Sequence, residues 1–434
     1  MSIKTLHLTN CWHSESGGIS TFYRELLNAA ARHGRQIRLV VPGARDQVEE
    51  CGPFARIYHV VGRPSRLSPG YRLLLPHKYL LPHAPLRQIL ADERPDLVEC
   101  CDRYTLNYLA GFLRRGWLMG HSYRPAVVGL DCERMDDNMA TYVSRRPVAK
   151  TFCQWYLRWL QFPLFDHHIA VSDYVASELH EVAQGHDVRR GVWVRPHGVA
   201  SGQFRPQLRS PELRARLEAR CGAPEGSTLL LYAGRLAPEK NLQLLVETVV
   251  RLEESSPGAF HLVVVGDGAL RPSLERECGE RIPGAACFLG HVADRQRLAE
   301  IYANCDVFIH PNPREPFGIA PLEAMASGLA LVAPHSGGIC VYADASNAWL
   351  AEATPAAFAR ALQDIRDDPA VRYARQCAAR ATAERFDWEN VTTGYFALYD
   401  ELYALVRDSR REPVLAPAFY SSAGRSESLA GVGR

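Results

Sequence analysis

Two cations and two carboxylates in the second half of the chain are spaced to hold a phosphorylated ligand. Arg235 and Lys240 lie in Gly234-Arg235-Leu236-Ala237-Pro238-Glu239-Lys240, between an apolar run and a helical pattern. That places them at the carboxyl edge of a sheet, where α/β folds bind ligands. Two cations there suit a diphosphate. The same residues would serve equally well as solvated surface charges. The second element is Glu315-Pro-Phe-Gly-Ile-Ala-Pro-Leu-Glu323, followed by Ala-Met-Ala-Ser-Gly328. Pro321 suits a first helical turn and Gly328 the position just past a helix end. The backbone N–H groups of Phe317, Gly318 and Ile319 would then be free to bind an anion. One of these two carboxylates can face a sugar while the other accepts hydrogen bonds from ribose hydroxyls. A helix cap plus a surface carboxylate explains the spacing equally well.

Three weaker features accompany them. Val265-Gly266-Asp267-Gly268 lacks the third glycine of a dinucleotide fingerprint, so a tight turn is the better reading. Ser16-Gly17-Gly18 lets backbone approach a ligand, but an ordinary strand-to-helix turn explains it more simply. Asp136-Asp137 suggests a metal motif, yet nothing pairs with it at a strand end, and no metal is expected.

The elements that must position these residues follow from periodicity. Residues 3–10 alternate like a strand, and Ile19 to Arg32 has helical spacing. Apolar runs at Ile37–Val41, Leu97–Cys100, Ala126–Leu130, His168–Val171 and Val192–Val194 suit parallel strands buried on both faces. A second series starts at Leu229, with strands at His261–Val265, Ala286–Leu289, Val307–His310 and Ala330–Ala333. Helices are expected at 240–254, 269–279, 294–303, 319–327, 355–366 and 369–385. The pattern is α/β, with two Rossmann-like doubly wound domains. The domains are read as 1–197 and 227–386, joined by a linker at 198–226. A helix at 387–408 follows, then a polar tail at 409–434 expected to be disordered.

Composition narrows the function classes. The 434 residues are 47% hydrophobic and 23% charged, with a net charge of +2. That balance argues against nucleic acid as a partner. Twelve scattered cysteines show no zinc spacing and read as mostly buried thiols in a reducing cytosol. The start of the chain lacks a signal-peptide pattern, and no apolar run reaches the ~20 residues of a membrane span. A cytoplasmic protein is expected, at most peripheral at the inner face of the membrane.

Several pieces occur in one order over about residues 3–400: Gly17-Gly18, Val171-Ser-Asp-Tyr-Val, Pro196-His-Gly-Val, Gly234-Arg235 through Lys240, Gly266-Asp-Gly, and Glu315 to Gly328. Together they resemble the GT-B glycosyltransferases, specifically the retaining family 4 group. The resemblance implies two domains facing across a cleft, with the C-terminal helix crossing back to the first. It implies an enzyme that takes a hexose-type sugar from a UDP- or GDP-linked donor, without a metal or other cofactor. Arg235 and Lys240 would hold the diphosphate, Glu323 the ribose and Glu315 the sugar hydroxyls. Phe317, Gly318 and Ile319 would touch phosphate and sugar through their backbone. Gly17 and Gly18 would close over the phosphates, and Val292 would meet the base. Cell-surface polysaccharide or glycolipid assembly is the implied setting.

One departure stands out. The family carries a His at the end of a first-domain strand, where this chain has Asp131. A carboxylate there could contact a sugar hydroxyl or stabilise an oxocarbenium-like centre, but it is no equivalent acid or base. The acceptor, a saccharide or a lipid-linked one, is expected on the first domain. Residues 51–91 hold Arg56, Arg63, Arg66, Arg72, Lys78 and Arg87 with no acid, which suits an anionic membrane. Packing with snorkelling cations explains that stretch equally well, and is the better reading of the aromatic stretch 145–162. A non-catalytic nucleotide-sugar-binding subunit and a nucleotide-sugar epimerase remain as alternatives.

Overall fold

The computed structural model describes residues 3–12, 17–65, 71–120, 123–184 and 191–411. Two sheets organise it. The strands of the first are β1 (Thr5–Thr9), β2 (Ile37–Gly43), β3 (Gln47–Glu50), β4 (Ala55–Val61), β5 (Leu97–Cys101), β6 (Ala126–Asp131), β7 (His167–Ala170) and β8 (Val192–Val194). Their order is β8-β7-β6-β5-β1-β2-β4-β3, and only β3 runs antiparallel, against β4. β1, β5 and β6 are buried at every position, as expected of a parallel sheet covered on both faces.

The second sheet comprises β9 (Thr228–Ala233), β10 (Phe260–Val265), β11 (Ala286–Gly290), β12 (Val307–Ile309), β13 (Ala330–Pro334) and β14 (Trp349–Ala351). Its order is β11-β10-β9-β12-β13-β14, all parallel. In sequence rank this is 3-2-1-4-5-6, which leaves a crevice at the carboxyl ends where β9 meets β12. The first sheet has the corresponding reversal between β1 and β5.

Four helices matter for the site: α1 (Gly18–Ala30), α2 (Asp173–Ala183), α3 (Ile319–Ala326) and α4 (Trp388–Arg411). α4 crosses back to the first sheet. Its Tyr399 donates to buried Glu99 on β5, and its Asp400 pairs with Arg35. The chain crosses between the sheets at two adjacent points, where Val199 bridges to Asp387.

Some elements differ from the sequence reading. β3 is exposed throughout and so lacks the alternation that marks a strand. The short helical stretch expected within 198–226 is present as Pro211–Cys221, and its Arg214 is tied to Asp306 on the second domain. α4 runs three residues past the expected end, and residues 412–434 lie outside the described part. Five of the twelve cysteines are buried and three are exposed, so they are not mostly buried.

Candidate active site

The crevice between β9 and β12 gathers the charged residues. β9 ends at Ala233 and hands the chain to Gly234-Arg235. The neighbouring loop after β10 packs directly against this turn. A Cβ on Gly266 would lie 1.9 Å from the Gly234 carbonyl oxygen, and one on Gly268 would lie 2.5 Å from that of Leu236. The glycines of Val265-Gly266-Asp267-Gly268 therefore hold the Arg235 turn in place.

Lys240 Nζ donates to Glu315 Oε2 at 2.8 Å and Oε1 at 3.2 Å. Asn312 Nδ2 adds a 3.1 Å bond to Glu315 Oε2, and His310 Nε2 lies 3.8 Å from it. Burial alone would push the Glu315 carboxyl up. Lys240, His310 and Asn312 outweigh it and hold the carboxyl at about 2. Burial pushes His310 down to about 4, so it is neutral at pH 7. Arg235 is 56% exposed and pairs with Glu239 at 2.9 Å, leaving much of its guanidinium open to the crevice.

The loop from Glu315 to Gly318 is pinned through its carbonyls. Ser172 Oγ donates to the Pro316 carbonyl at 2.5 Å. Tyr342 Oη donates to the carbonyls of Phe317 at 3.1 Å and Gly318 at 2.5 Å. In a trans peptide the following N–H points opposite to the carbonyl. The amides of Phe317, Gly318 and Ile319 therefore point away from these anchors, and the loop's own hydrogen bonds do not consume them. They stand at the N-terminus of α3, a ready anion site. Gly318 has φ +87, a conformation glycine adopts without strain.

Glu323 lies within α3, 5% exposed. Arg295 Nη2 donates to its Oε1 at 3.0 Å and Tyr302 Oη to its Oε2 at 3.3 Å. Burial raises its pKa against those two partners. Val292 sits in the loop between β11 and the helix that carries Arg295. Its loop walls a cavity of about 250 Å³ that also meets Arg220, His291 and Arg297.

The first domain closes over this site. A Cβ on Gly18 would come 3.1 Å from Ile319 Cδ1, while one on Gly17 would meet nothing. Ser16 lies outside the described residues. Tyr142 Oη donates to Glu239 at 2.5 Å, and Arg314 approaches Asp137 at 3.6 Å.

Asp131 is not presented to the crevice. It is 2% exposed, and Arg103 at 2.8 Å and His168 Nδ1 at 2.9 Å occupy its oxygens. Burial would raise its pKa, but Arg103 and His168 outweigh it and hold it below the usual range. Its oxygens are committed to Arg103 and His168 in the first domain. Asp136 and Asp137 are likewise taken up, by Arg134 and Tyr174. Among the described residues no group of His, Cys, Asp and Glu could hold a metal ion.

Sequence reasoning missed Ser172, Tyr342, Asn312 and Arg295. Ser172 lies in Val171-Ser-Asp-Tyr-Val, a piece already singled out without a role; the other three sit in unmarked sequence.

Residues 16–200 match the model of Glycosyltransferase Family 4, and residues 214–384 that of Glycosyl transferases group 1. The chain belongs to the GT-B glycosyltransferases. The transferase is 27% identical to the GDP-mannose-dependent alpha-(1-6)-phosphatidylinositol dimannoside mannosyltransferase of Mycobacterium tuberculosis, over 91% of this chain and 95% of that one. It is 26% identical to the D-inositol 3-phosphate glycosyltransferase of Xylanimonas cellulosilytica, over 92% and 95%. Among solved structures, sucrose-phosphate synthase from Thermosynechococcus elongatus superposes with a TM-score of 0.71 at 21% identity, over 92% and 99% of the two chains. WaaG, a glycosyltransferase involved in lipopolysaccharide biosynthesis, gives 0.65 at 17%, over 91% and 99%. These two show the shared fold.

Proposed function

We propose that this transferase moves a hexose from a GDP- or UDP-linked donor to a hydroxyl of a saccharide or glycolipid, retaining the anomeric configuration. The bond from C1 to the diphosphate oxygen breaks, C1 bonds the acceptor oxygen, and the acceptor proton leaves with the diphosphate. The observation that carries this reading is the meeting of Lys240–Glu315 and the three outward amides of 317–319 where β9 meets β12. Arg235 and Lys240 supply the positive charge for the leaving diphosphate, so the reaction needs no metal. Glu315 takes sugar hydroxyls and Glu323 the ribose. The GDP-mannose in the names of two mycobacterial relatives makes it the first donor to test.

Thermal shift against GDP, UDP, ADP and their sugar conjugates tests the donor site. A ligand at 100 times its Kd should add ~2.7 kcal/mol of stability. A shift with one base family, lost in Arg235→Ala and unchanged by EDTA, is expected. Stability unmoved by every nucleotide would remove the donor site from this crevice.

A further inference from the structure

The helix Pro147–Tyr156 and the turn Leu157–Gln161 carry two opposed stripes. Cys153, Leu157 and Gln161 face inward and are buried. Val148, Phe152, Trp155 and Trp159 are spaced four, three and four residues apart, which puts them on one helical face. They are 78%, 48%, 50% and 58% exposed. Tyr142 and Val143, just before the helix, extend the apolar surface. Contiguous apolar surface of this kind marks an interaction site.

Its charge is one-sided. From Asn138 to Phe165 there is no acidic residue, while Arg145, Arg146, Lys150 and Arg158 are present. Among the described residues, Arg145, Arg146 and Lys150 have no ion-pair partner. They share a cavity of about 180 Å³ with Asp136 and Asp137, whose own charges are engaged elsewhere. Exposed tryptophans beside unpaired cations complement a surface with an apolar interior and anionic headgroups. Three of the cations of residues 51–91 are spent differently. Arg56 pairs with Glu50 and Glu93, Arg72 bonds the Gly62 carbonyl, and Arg87 the Leu118 carbonyl. Arg66 lies outside the described residues. The patch also adjoins the active cleft, since Tyr142 bonds Glu239, the partner of Arg235.

We propose that the face formed by residues 142–160 docks this enzyme on an anionic phospholipid bilayer, with a lipid phosphate in the Arg145–Arg146–Lys150 cavity. Docked this way, a lipid-linked acceptor reaches the cleft at its rim.

Flotation of the full chain tests this, using phosphatidylcholine vesicles with and without phosphatidylglycerol. Wild type should float only with phosphatidylglycerol. R145Q/R146Q/K150Q should lose about 100-fold in affinity, at about fivefold per cation. W155A/W159A should lose the binding that survives high salt. R63Q/K78Q should float like wild type, and every variant should keep the wild-type melting temperature. No flotation of wild type, or flotation of the triple variant at wild-type level, overturns the proposal. So does self-association through this face, seen as a dimer that W155A/W159A converts to monomer. Flotation needs no sugar transfer, so its outcome is independent of the donor assignment.

Discussion

Ser172, on the first domain, donates its hydroxyl to the carbonyl of Pro316 on the second, at 2.5 Å. The same oxygen accepts from the Val175 amide at 3.2 Å and so caps α2. One side chain thus anchors a first-domain helix and orients the donor-side loop. That loop also approaches Gly338 so closely that a Cβ there would lie 1.8 Å from the Pro316 oxygen.

Separating the two roles of Ser172 gives a first prediction. Ser172→Ala removes both cap and clamp, whereas Ser172→Asp keeps an acceptor for the cap but has no proton to donate. Both should weaken donor affinity by about fivefold, the equivalent of one hydrogen bond of ~1 kcal/mol. The Ala variant should also lose ~1 kcal/mol of stability through the cap, and the Asp variant more, because Ser172 is fully buried and a carboxylate there faces the Pro316 carbonyl. Titration of donor by thermal shift and urea denaturation separate the effects. Unchanged donor affinity in both variants would show that the clamp does not orient the loop.

Lys240→Ala should cut turnover by ~10²–10³, the effect of removing a well-placed electrostatic group. It should also destabilise by ~3 kcal/mol at pH 7, because buried Glu315 loses its counter-charge. The sign with pH follows from the lowered pKa of Glu315. Its contribution in wild type is complete above the ordinary 4.5 and fades as pH falls toward about 2. The gap between variant and wild type should therefore narrow below pH 4. Urea midpoints at pH 7 and pH 3.5 check this, and a gap independent of pH would detach Lys240 from Glu315.

The legible parts of this molecule were those written in short-range pattern. β9, β10 and β13 read directly as apolar runs, and α3 as Pro321 and Gly328 at its two ends. Arg235, Lys240, Glu315 and Glu323 stood out because they flank those runs. What stayed hidden depends on contacts between distant residues. Tyr342 reaches Gly318 from 24 residues away, and Ser172 reaches Pro316 from 144. The orientation of Asp131 was equally out of reach. It rests on Arg103 and His168, and periodicity does not say which way the last side chain of a strand turns.

Arg295 and Glu323 give the opposite pH behaviour. Burial raises the pKa of Glu323, so its contribution is greatest when protonated and is lost as pH rises through the folded value. Arg295→Ala removes the charge that opposes this. It should cost about 1–3 kcal/mol at pH 8, where the carboxyl is driven to ionise, and less at pH 5. Melting temperatures at the two pH values measure it. A larger deficit at pH 5 would contradict the arrangement.

Glycine substitutions rank the close approaches around the loop. Gly338→Ala should displace the Pro316 carbonyl and abolish most donor binding, since the 1.8 Å contact is with backbone. Gly17→Ala should fold normally, because its Cβ meets open space. Gly18→Ala should need only a small shift of Ile319. Donor thermal shift across the three variants gives the order. Normal binding by Gly338→Ala would mean the loop moves freely.

Asp131 separates catalysis from scaffold. Its carboxylate and that of Glu178 both pair with buried Arg103, and Asp131 also bonds His168. Asp131→Asn leaves shape nearly intact but removes one of two counter-charges, which should cost ~3 kcal/mol. Because Arg103 and His168 hold Asp131 below the usual carboxylate range, wild type loses this contribution only as pH falls below ~4. The variant should be less stable than wild type at pH 7 and converge with it in acid. Turnover of the folded fraction should stay within about threefold of wild type, since the carboxylate faces the core and not the crevice. Urea denaturation and steady-state kinetics on the same preparation decide between the roles. A ~10³-fold loss of turnover with wild-type stability would return Asp131 to the reacting carbon.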